Sequence, residues 1–278
     1  MSYEKMGAGE LDYEPCRYGG SRLVFRGPRQ ELTGDYVIFL GGTETYGKFV
    51  PEPFPVLLQE ATGRSCVNFG YVNAGVDVFL AEPVVLEAVQ RASLTIVQVL
   101  GAHNMSNRYY KVHPRRNDRF VEASSVMRMV FRDVDFTEFH FTRHMLGTLL
   151  ARAPDRFTLL CDELKAAWVA RMKLLLTHIS GPVVLLWVSD HAPVSAGTGV
   201  DLKADPLLID TKMLDELRPH VDEIVEVVTS SEAQRAGTAG MIHSALEKPA
   251  AERMLGPLAH IEVADSLAPY LAKSNRLR

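Results

Sequence analysis

Tyr36-Val37-Ile38-Phe39-Leu40-Gly41-Gly42-Thr43-Glu44-Thr45-Tyr46-Gly47 decides how the chain is read. Residues 36–40 form an unbroken apolar run rich in β-branched and aromatic side chains, which suits a strand buried on both faces of a parallel sheet. Gly34-Asp35 marks the turn before it. Gly41-Gly42 ends it, where the chain must turn sharply with no Cβ in the way. Thr43, Glu44 and Thr45 then fall at the carboxyl end of the strand, the edge of an open α/β sheet at which ligands bind. An ordinary strand-to-helix turn, with Thr43 or Thr45 as N-cap, accounts for the same residues.

Outward from this strand the same rhythm repeats. A helix is expected over 54–62, stopped by Gly63, then a strand over 65–69 followed by Gly70 and the turn Asn73-Ala74-Gly75. Residues 76–92 read as helix interrupted near Pro83, and 94–100 as a third strand stopped by Gly101. This βαβαβ alternation implies a parallel sheet with right-handed crossovers. Residues 183–188 form the fourth and most convincing strand, and 223–228 the fifth. Between the third and fourth strands, helices are expected over about 121–131, from about 137, and over 155–178. The last of these carries an apolar stripe from Phe157 to Ile179. A helix over about 250–272 closes the chain. The expected fold is an α/β three-layer sandwich with a five-stranded, mostly parallel sheet, flavodoxin-like in order. Residues 1–33 form an N-terminal arm. Residues 34–278 form a single domain with a helical insertion at about 116–180.

The 278 residues approach the upper size for one hydrophobic core, and 47% apolar with 23% charged residues is ordinary for a globular protein. A net charge of −4 gives no reason to expect nucleic acid or an anionic membrane as partner. No apolar run has the length of a membrane span, and the N-terminus lacks a hydrophobic signal core. Cys16, Cys66 and Cys161 are scattered and odd in number, which argues for a reducing, cytoplasmic setting without a disulfide framework.

The order of features resembles the SGNH, or GDSL-type, hydrolase superfamily, whose first strand ends in Gly-Asp-Ser, often followed by x-Thr-Tyr-Gly. Here the corresponding residues are Gly41-Gly42-Thr43-Glu44-Thr45-Tyr46-Gly47. The resemblance places Thr43 at the nucleophile position. An Asn-x-Gly after the second strand is similar to Asn68-Phe69-Gly70, so that Gly70 would supply an oxyanion-hole N–H. The Gly-x-Asn-Asp block after the third strand is similar to Gly101-Ala102-His103-Asn104, with Asn104 one residue late. The likeness covers about half the chain. The chain departs from the pattern at Gly42 for Asp and Thr43 for Ser. It also lacks the Asp-x-x-His that precedes the last helix: Gly240 stands three before His243, and Pro257 three before His260. Without a base a threonine hydroxyl is a very weak nucleophile. Either another histidine substitutes or the triad chemistry has been lost.

His191, beside Asp190 after the fourth strand, His103 and His243 are the candidate bases. Adjacent residues on an extended chain point opposite ways, so Asp190 is not expected to orient His191. Gly42, Glu44, Thr45, Asn73 and Asp190 are candidate substrate contacts. So are Arg108, Lys111, Arg115 and Arg116 of the basic loop 107–119, whose guanidinium forks suit phosphate, sulfate or carboxylate. The loop also reads as a solvated surface run. His140 and His144 have metal-ligand spacing but lack the glutamate of HExxH and a third ligand, so no metal and no cofactor is expected. Neither a P-loop nor a GxGxxG is present. The leading expectation is a divergent hydrolase or acyltransferase acting on an ester of a polar, saccharide-type small molecule, with an anionic substrate as one option. A ligand-binding protein that lost the triad is the first rival. A sulfuryl or phosphoryl transferase using the basic loop, with Glu44 as base, is the second.

Overall fold

The computed structural model describes residues 11–274; the first ten residues of the expected arm lie outside them. Strands β1 (Tyr36–Gly41), β2 (Ser65–Gly70) and β3 (Leu94–Gln98) alternate with helices α1 (Thr43–Tyr46), α2 (Phe54–Thr62), α3 (Val76–Leu80) and α4 (Pro83–Arg91). An insertion follows, with strands β4 (Tyr110–His113) and β5 (Arg116–Ala123) and helices α5 (Ser125–Val130), α6 (Thr142–Arg152) and α7 (Pro154–Thr177). Strand β6 (Val183–Ser189), α8 (Thr211–Leu217), β7 (Glu223–Val228), α9 (Ser231–Ala236), α10 (Lys248–Ala251) and α11 (Pro257–Ser274) complete the described chain.

The main sheet is five-stranded in the order β2-β1-β3-β6-β7, and every pairing in it is parallel. Side chains alternate across a strand, so β1 feeds two cores. Tyr36, Ile38 and Leu40 join the core that also takes in Val85 and Val89 of α4 and Leu164 and Trp168 of α7. Val37 and Phe39 face Phe54 and Leu58 of α2 and Val263, Leu267 and Leu271 of α11. All six residues of β1 are buried, as the apolar run requires of a strand covered on both faces. The expected fold class is the one observed. From β1 the chain moves to β2 on one side and then to β3 on the other, so the direction of winding reverses between β1 and β3. In open α/β sheets that switch point is where ligands sit.

Three expectations are corrected. The basic segment after β3 is an antiparallel hairpin, not a loop, pairing Tyr110 with Ala123, Lys111 with Glu122 and Val112 with Phe120. Tyr110, Val112 and Phe120 are buried beneath its charged face, an alternation masked in the sequence by the density of arginines. The helix expected from residue 121 therefore starts only at Ser125, with the Ser124 hydroxyl accepting the Met127 N–H as its cap. The closing helix is broken between Ala251 and Pro257, and Pro257 takes the first position of α11, where its missing N–H has no intrahelical partner to lose. The described part of the arm is folded against the domain. Tyr18, Leu23 and Phe25 are fully buried, and the Phe25 ring lies 4.8 Å from that of Phe69.

Candidate functional site

The turn after β1 is held from within. The Gln98 side-chain oxygen, at the end of β3, accepts from the Gly42 N–H (2.9 Å), the Thr45 N–H (3.3 Å) and the Thr45 hydroxyl (2.6 Å). The Gly42 N–H and the Thr45 donors are therefore buried and already satisfied by Gln98. Gly42 takes the N-cap position of α1, with Thr43 as its first residue, so neither threonine is the cap. Gln98 was not singled out in the sequence. Its only signal is a long polar side chain at the end of the otherwise mostly apolar third strand.

Thr43, Asn73 and Asn104 come together at the switch-point edge. The Asn73 N–H donates to Thr43 Oγ1 at 3.0 Å, and the Thr43 hydroxyl approaches Asn73 Oδ1 at 3.5 Å. Asn104 Nδ2 donates to the Asn73 carbonyl at 3.3 Å, and Asn104 Oδ1 accepts from the Thr142 hydroxyl at 2.8 Å. Asn73 sits in the left-handed region, φ 56°, which asparagine tolerates better than most residues. Close behind it, a Cβ on Gly75 would come within 1.5 Å of the Asn104 carbonyl oxygen. The Asn-x-Gly that meets the other two blocks is thus Asn73-Ala74-Gly75. The other one, Asn68-Phe69-Gly70, is closed to this role. The Gly70 N–H donates to Asn68 Oδ1 at 2.8 Å, and a Cβ on Gly70 would lie 2.2 Å from the Tyr46 nitrogen, so α1 packs directly over it. Gly70 cannot offer its N–H to an oxyanion.

No histidine nitrogen bonds Thr43 Oγ1 among the described residues. His103 lies in the Asn104 loop but is buried, with Nδ1 unpartnered and close to its own Gly101. Burial, reinforced by Arg143, lowers its pKa to about 3. His191 follows β6, which β3 separates from β1. Its ring packs on Trp187 at 5.7 Å, and its Nδ1 lies 2.8 Å from the Ala192 carbonyl. The neighbouring Asp190 is exposed, with His191 Nε2 at 4.0 Å. His243 packs edge-on against Phe49 at 6.0 Å, with Nδ1 on the Ser244 carbonyl. The geometry brings none of the three proposed bases to Thr43, because each ring is packed into its own loop.

Glu44 is the titratable group left at the edge. It follows Thr43 in α1 and borders a narrow apolar void with Phe54, Val188 and His260. Burial, then the nearby Asp205 carboxylate, raises its pKa from 4.5 to about 7. His260 accepts the Phe54 N–H at Nδ1 (3.2 Å), so the neutral ring carries its proton on Nε2. Its pKa is lowered to about 3, chiefly by burial and then by Arg26.

On the β2 side, Asn73 opens into a cleft of about 390 Å³ lined by Tyr46, Tyr71, Arg116, Asp118 and Arg119, with Val24 of the arm on its wall. This volume falls in the range of small-molecule sites, about 300–1,000 Å³. The basic segment contributes only in part. Arg108 pairs with Glu163 (3.6 Å) and Lys111 with Glu122 (2.7 Å), and Arg115 does not line the cleft. Lys111 is held by its cross-strand partner Glu122, Arg108 precedes β4 and Arg115 lies in the turn, while Arg116 faces the cleft together with Asp118 and Arg119. Among the described residues no group of His, Cys, Asp and Glu could hold a metal ion. No helix among them is long and apolar enough to cross a membrane.

A family described as a domain of unknown function, DUF6473, matches residues 1–275, and the chain belongs to that family. No curated protein matches it. The chain is similar to solved structures of carbohydrate esterases at low identity. A family two carbohydrate esterase from Clostridium thermocellum, in complex with cellohexaose, has a TM-score of 0.45 at 10% identity. The match covers 91% of this chain and 68% of that one. A carbohydrate esterase family 2 enzyme from Myceliophthora fergusii has a TM-score of 0.44 at 10% identity, with coverage of 91% and 73%. An acetylxylan esterase from Geobacillus stearothermophilus has a TM-score of 0.40 at 13% identity, with coverage of 87% and 94%.

Proposed function

We propose that this chain is a divergent protein of the SGNH ester hydrolase and acyltransferase type that binds a polar, saccharide-type ester at the switch-point edge and does not turn it over through a Thr–His pair. One observation carries the reading: the Thr43 hydroxyl is engaged by Asn73, and no histidine nitrogen bonds it. Nucleophile and base act as a unit, so loss of the base removes most of the rate. The Thr43 methyl group further restricts χ1 and crowds an attack trajectory. Thr43 Oγ1, Asn73 and the Asn104 amide remain as a polar cluster able to hold a carbonyl or hydroxyl oxygen. A saccharide-type ester is the ligand class that the sequence resemblance implies. Little or no hydrolysis of p-nitrophenyl acetate is expected. Fast turnover, abolished both by Thr43→Ala and by one substitution among His103, His191 and His243, would refute the reading.

Glu44 supports a second reading, in which a carboxylate replaces histidine as the base. A carboxyl titrating near neutrality is suited to proton transfer. Acyl transfer should then rise with pH through about 7 as Glu44 ionises, and Glu44→Gln should abolish it.

A further inference from the structure

The cleft beside Asn73 carries more information than its position. Neither Arg116 nor Arg119 forms an ion pair with any described residue, whereas Arg108 pairs with Glu163 and Lys111 with Glu122. Arg119 is positioned instead by the Phe141 ring, its guanidinium carbon 4.1 Å from the ring centroid, in a strand-like bridge with that residue. Stacking of this kind fixes the guanidinium plane and leaves its N–H donors for a ligand. Asp118 lies between the two arginines in sequence. Its Oδ2 accepts from Asn73 Nδ2 at 3.2 Å, which leaves Oδ1 to accept from a ligand donor. Tyr46 and Tyr71 supply flat aromatic wall. Burial, reinforced by Tyr13, pushes the Tyr46 phenol up to about 12, so it carries no charge at neutral pH.

A further positive charge sits behind that wall. Arg26 of the arm is 5% exposed, and its guanidinium donates to the carbonyls of Tyr46, Gly47, Val50 and Pro51, with no carboxylate as hydrogen-bond partner among the described residues. A buried cation held by carbonyl dipoles and by the Tyr13 ring, 5.3 Å from its guanidinium carbon, adds to the positive field of the neighbouring cleft.

We propose that this cleft binds an anionic polyol, with one oxyacid group held by Arg116 and Arg119 and an adjacent ring hydroxyl donating to Asp118. The inference deepens the ligand-binding reading above and rests on it. The requirement for both features follows from the lining: two guanidinium groups without an ion pair call for an oxyanion, and the Asp118 carboxylate in the same lining disfavours a simple anion but accepts a hydroxyl. A free carboxylate on a sugar ring and a sulfate monoester of a sugar share this chemistry.

Calorimetry with the full chain separates the sources, using D-glucuronate, glucose 6-sulfate, glucose and inorganic sulfate as probes. Glucuronate or glucose 6-sulfate should bind at least tenfold more tightly than glucose or sulfate. Charge-assisted hydrogen bonds contribute enough that Arg116→Ala or Arg119→Ala should each weaken binding by about 10- to 100-fold. Arg115→Ala, at the hairpin turn outside the cleft, should not change it. Asp118→Asn should lower the preference for the sugar anion over inorganic sulfate, while thermal melting shows the variant folded. If glucose binds as tightly as its acids, a saccharide site stands but the anionic inference falls. If the arginine variants bind like wild type, or if none of the four probes binds, the cleft is not an anionic-polyol site. The ester-binding reading is then judged separately, by whether Thr43→Ala changes binding of a neutral acetylated sugar.

Discussion

Replacing Glu44 with glutamine should change how stability depends on pH while leaving shape and hydrogen-bonding capacity nearly intact. The carboxyl titrates near 4.5 in the unfolded chain and near 7 in the folded one. Below pH 4.5 both states hold the proton, and the group does not affect folding. Between 4.5 and 7 the unfolded chain releases it first, so stability falls as pH rises, and the loss is complete above about 7. The shift corresponds to about 3 kcal/mol, which partial exposure of the side chain reduces to about 1–2 kcal/mol. For a protein of this size that is roughly 2–8 °C in melting temperature. His103 and His260, both lowered to about 3, act in the opposite sense, because their contribution is lost as pH falls below 6.5. The readout is therefore the difference between Glu44→Gln and wild type, measured by calorimetry from pH 4.5 to 8. It should be near zero at the acid end and favour the variant at the alkaline end. A difference that stays constant across the range would show that Glu44 titrates normally and that its burial has no electrostatic consequence.

Gln98→Leu should cost about 3–5 kcal/mol in denaturant unfolding, because three buried donors at the β1 turn lose one shared acceptor; a loss below about 1 kcal/mol would mean that water replaces it. Gly75→Ala should weaken ligand binding as well as stability, since its Cβ would lie 1.5 Å from the Asn104 carbonyl oxygen and force the Asn73 and Asn104 loops apart; unchanged affinity in the folded variant would separate those loops from the site. Arg108→Ala and Lys111→Ala should leave glucuronate affinity unaltered, because both cations are occupied by Glu163 and Glu122 outside the cleft; a loss comparable to that of Arg116→Ala would return the whole basic hairpin to the binding surface.

The apolar run 36–40 and its glycine stop determined by themselves that a parallel α/β sheet would form and where its carboxyl edge would lie. The reason is local: such a run can be satisfied only by burial on both faces, and its hydrogen bonds only by neighbouring strands. The strands at 183–188 and 223–228 were legible on the same grounds. Thr43, Gly70 and Asn104 were likewise legible as candidates, because each follows a strand whose carboxyl end shares one edge, and Asn73 was legible only as a candidate contact in the turn beyond Gly70. Tertiary structure alone decided which of them meet. Two Asn-x-Gly sequences follow one another closely, and only packing of α1 over Gly70 closes the first and leaves Asn73 against Thr43. Spacing also nominated three histidines that packing then directs elsewhere, since a side chain's direction depends on the ring or loop it lies against and not on its position along the chain. The same holds for the basic segment. Its charges were plain in the sequence, but only the folded hairpin and the ion pairs to Glu163 and Glu122 separate Arg116, at the cleft, from Arg108 and Lys111, away from it.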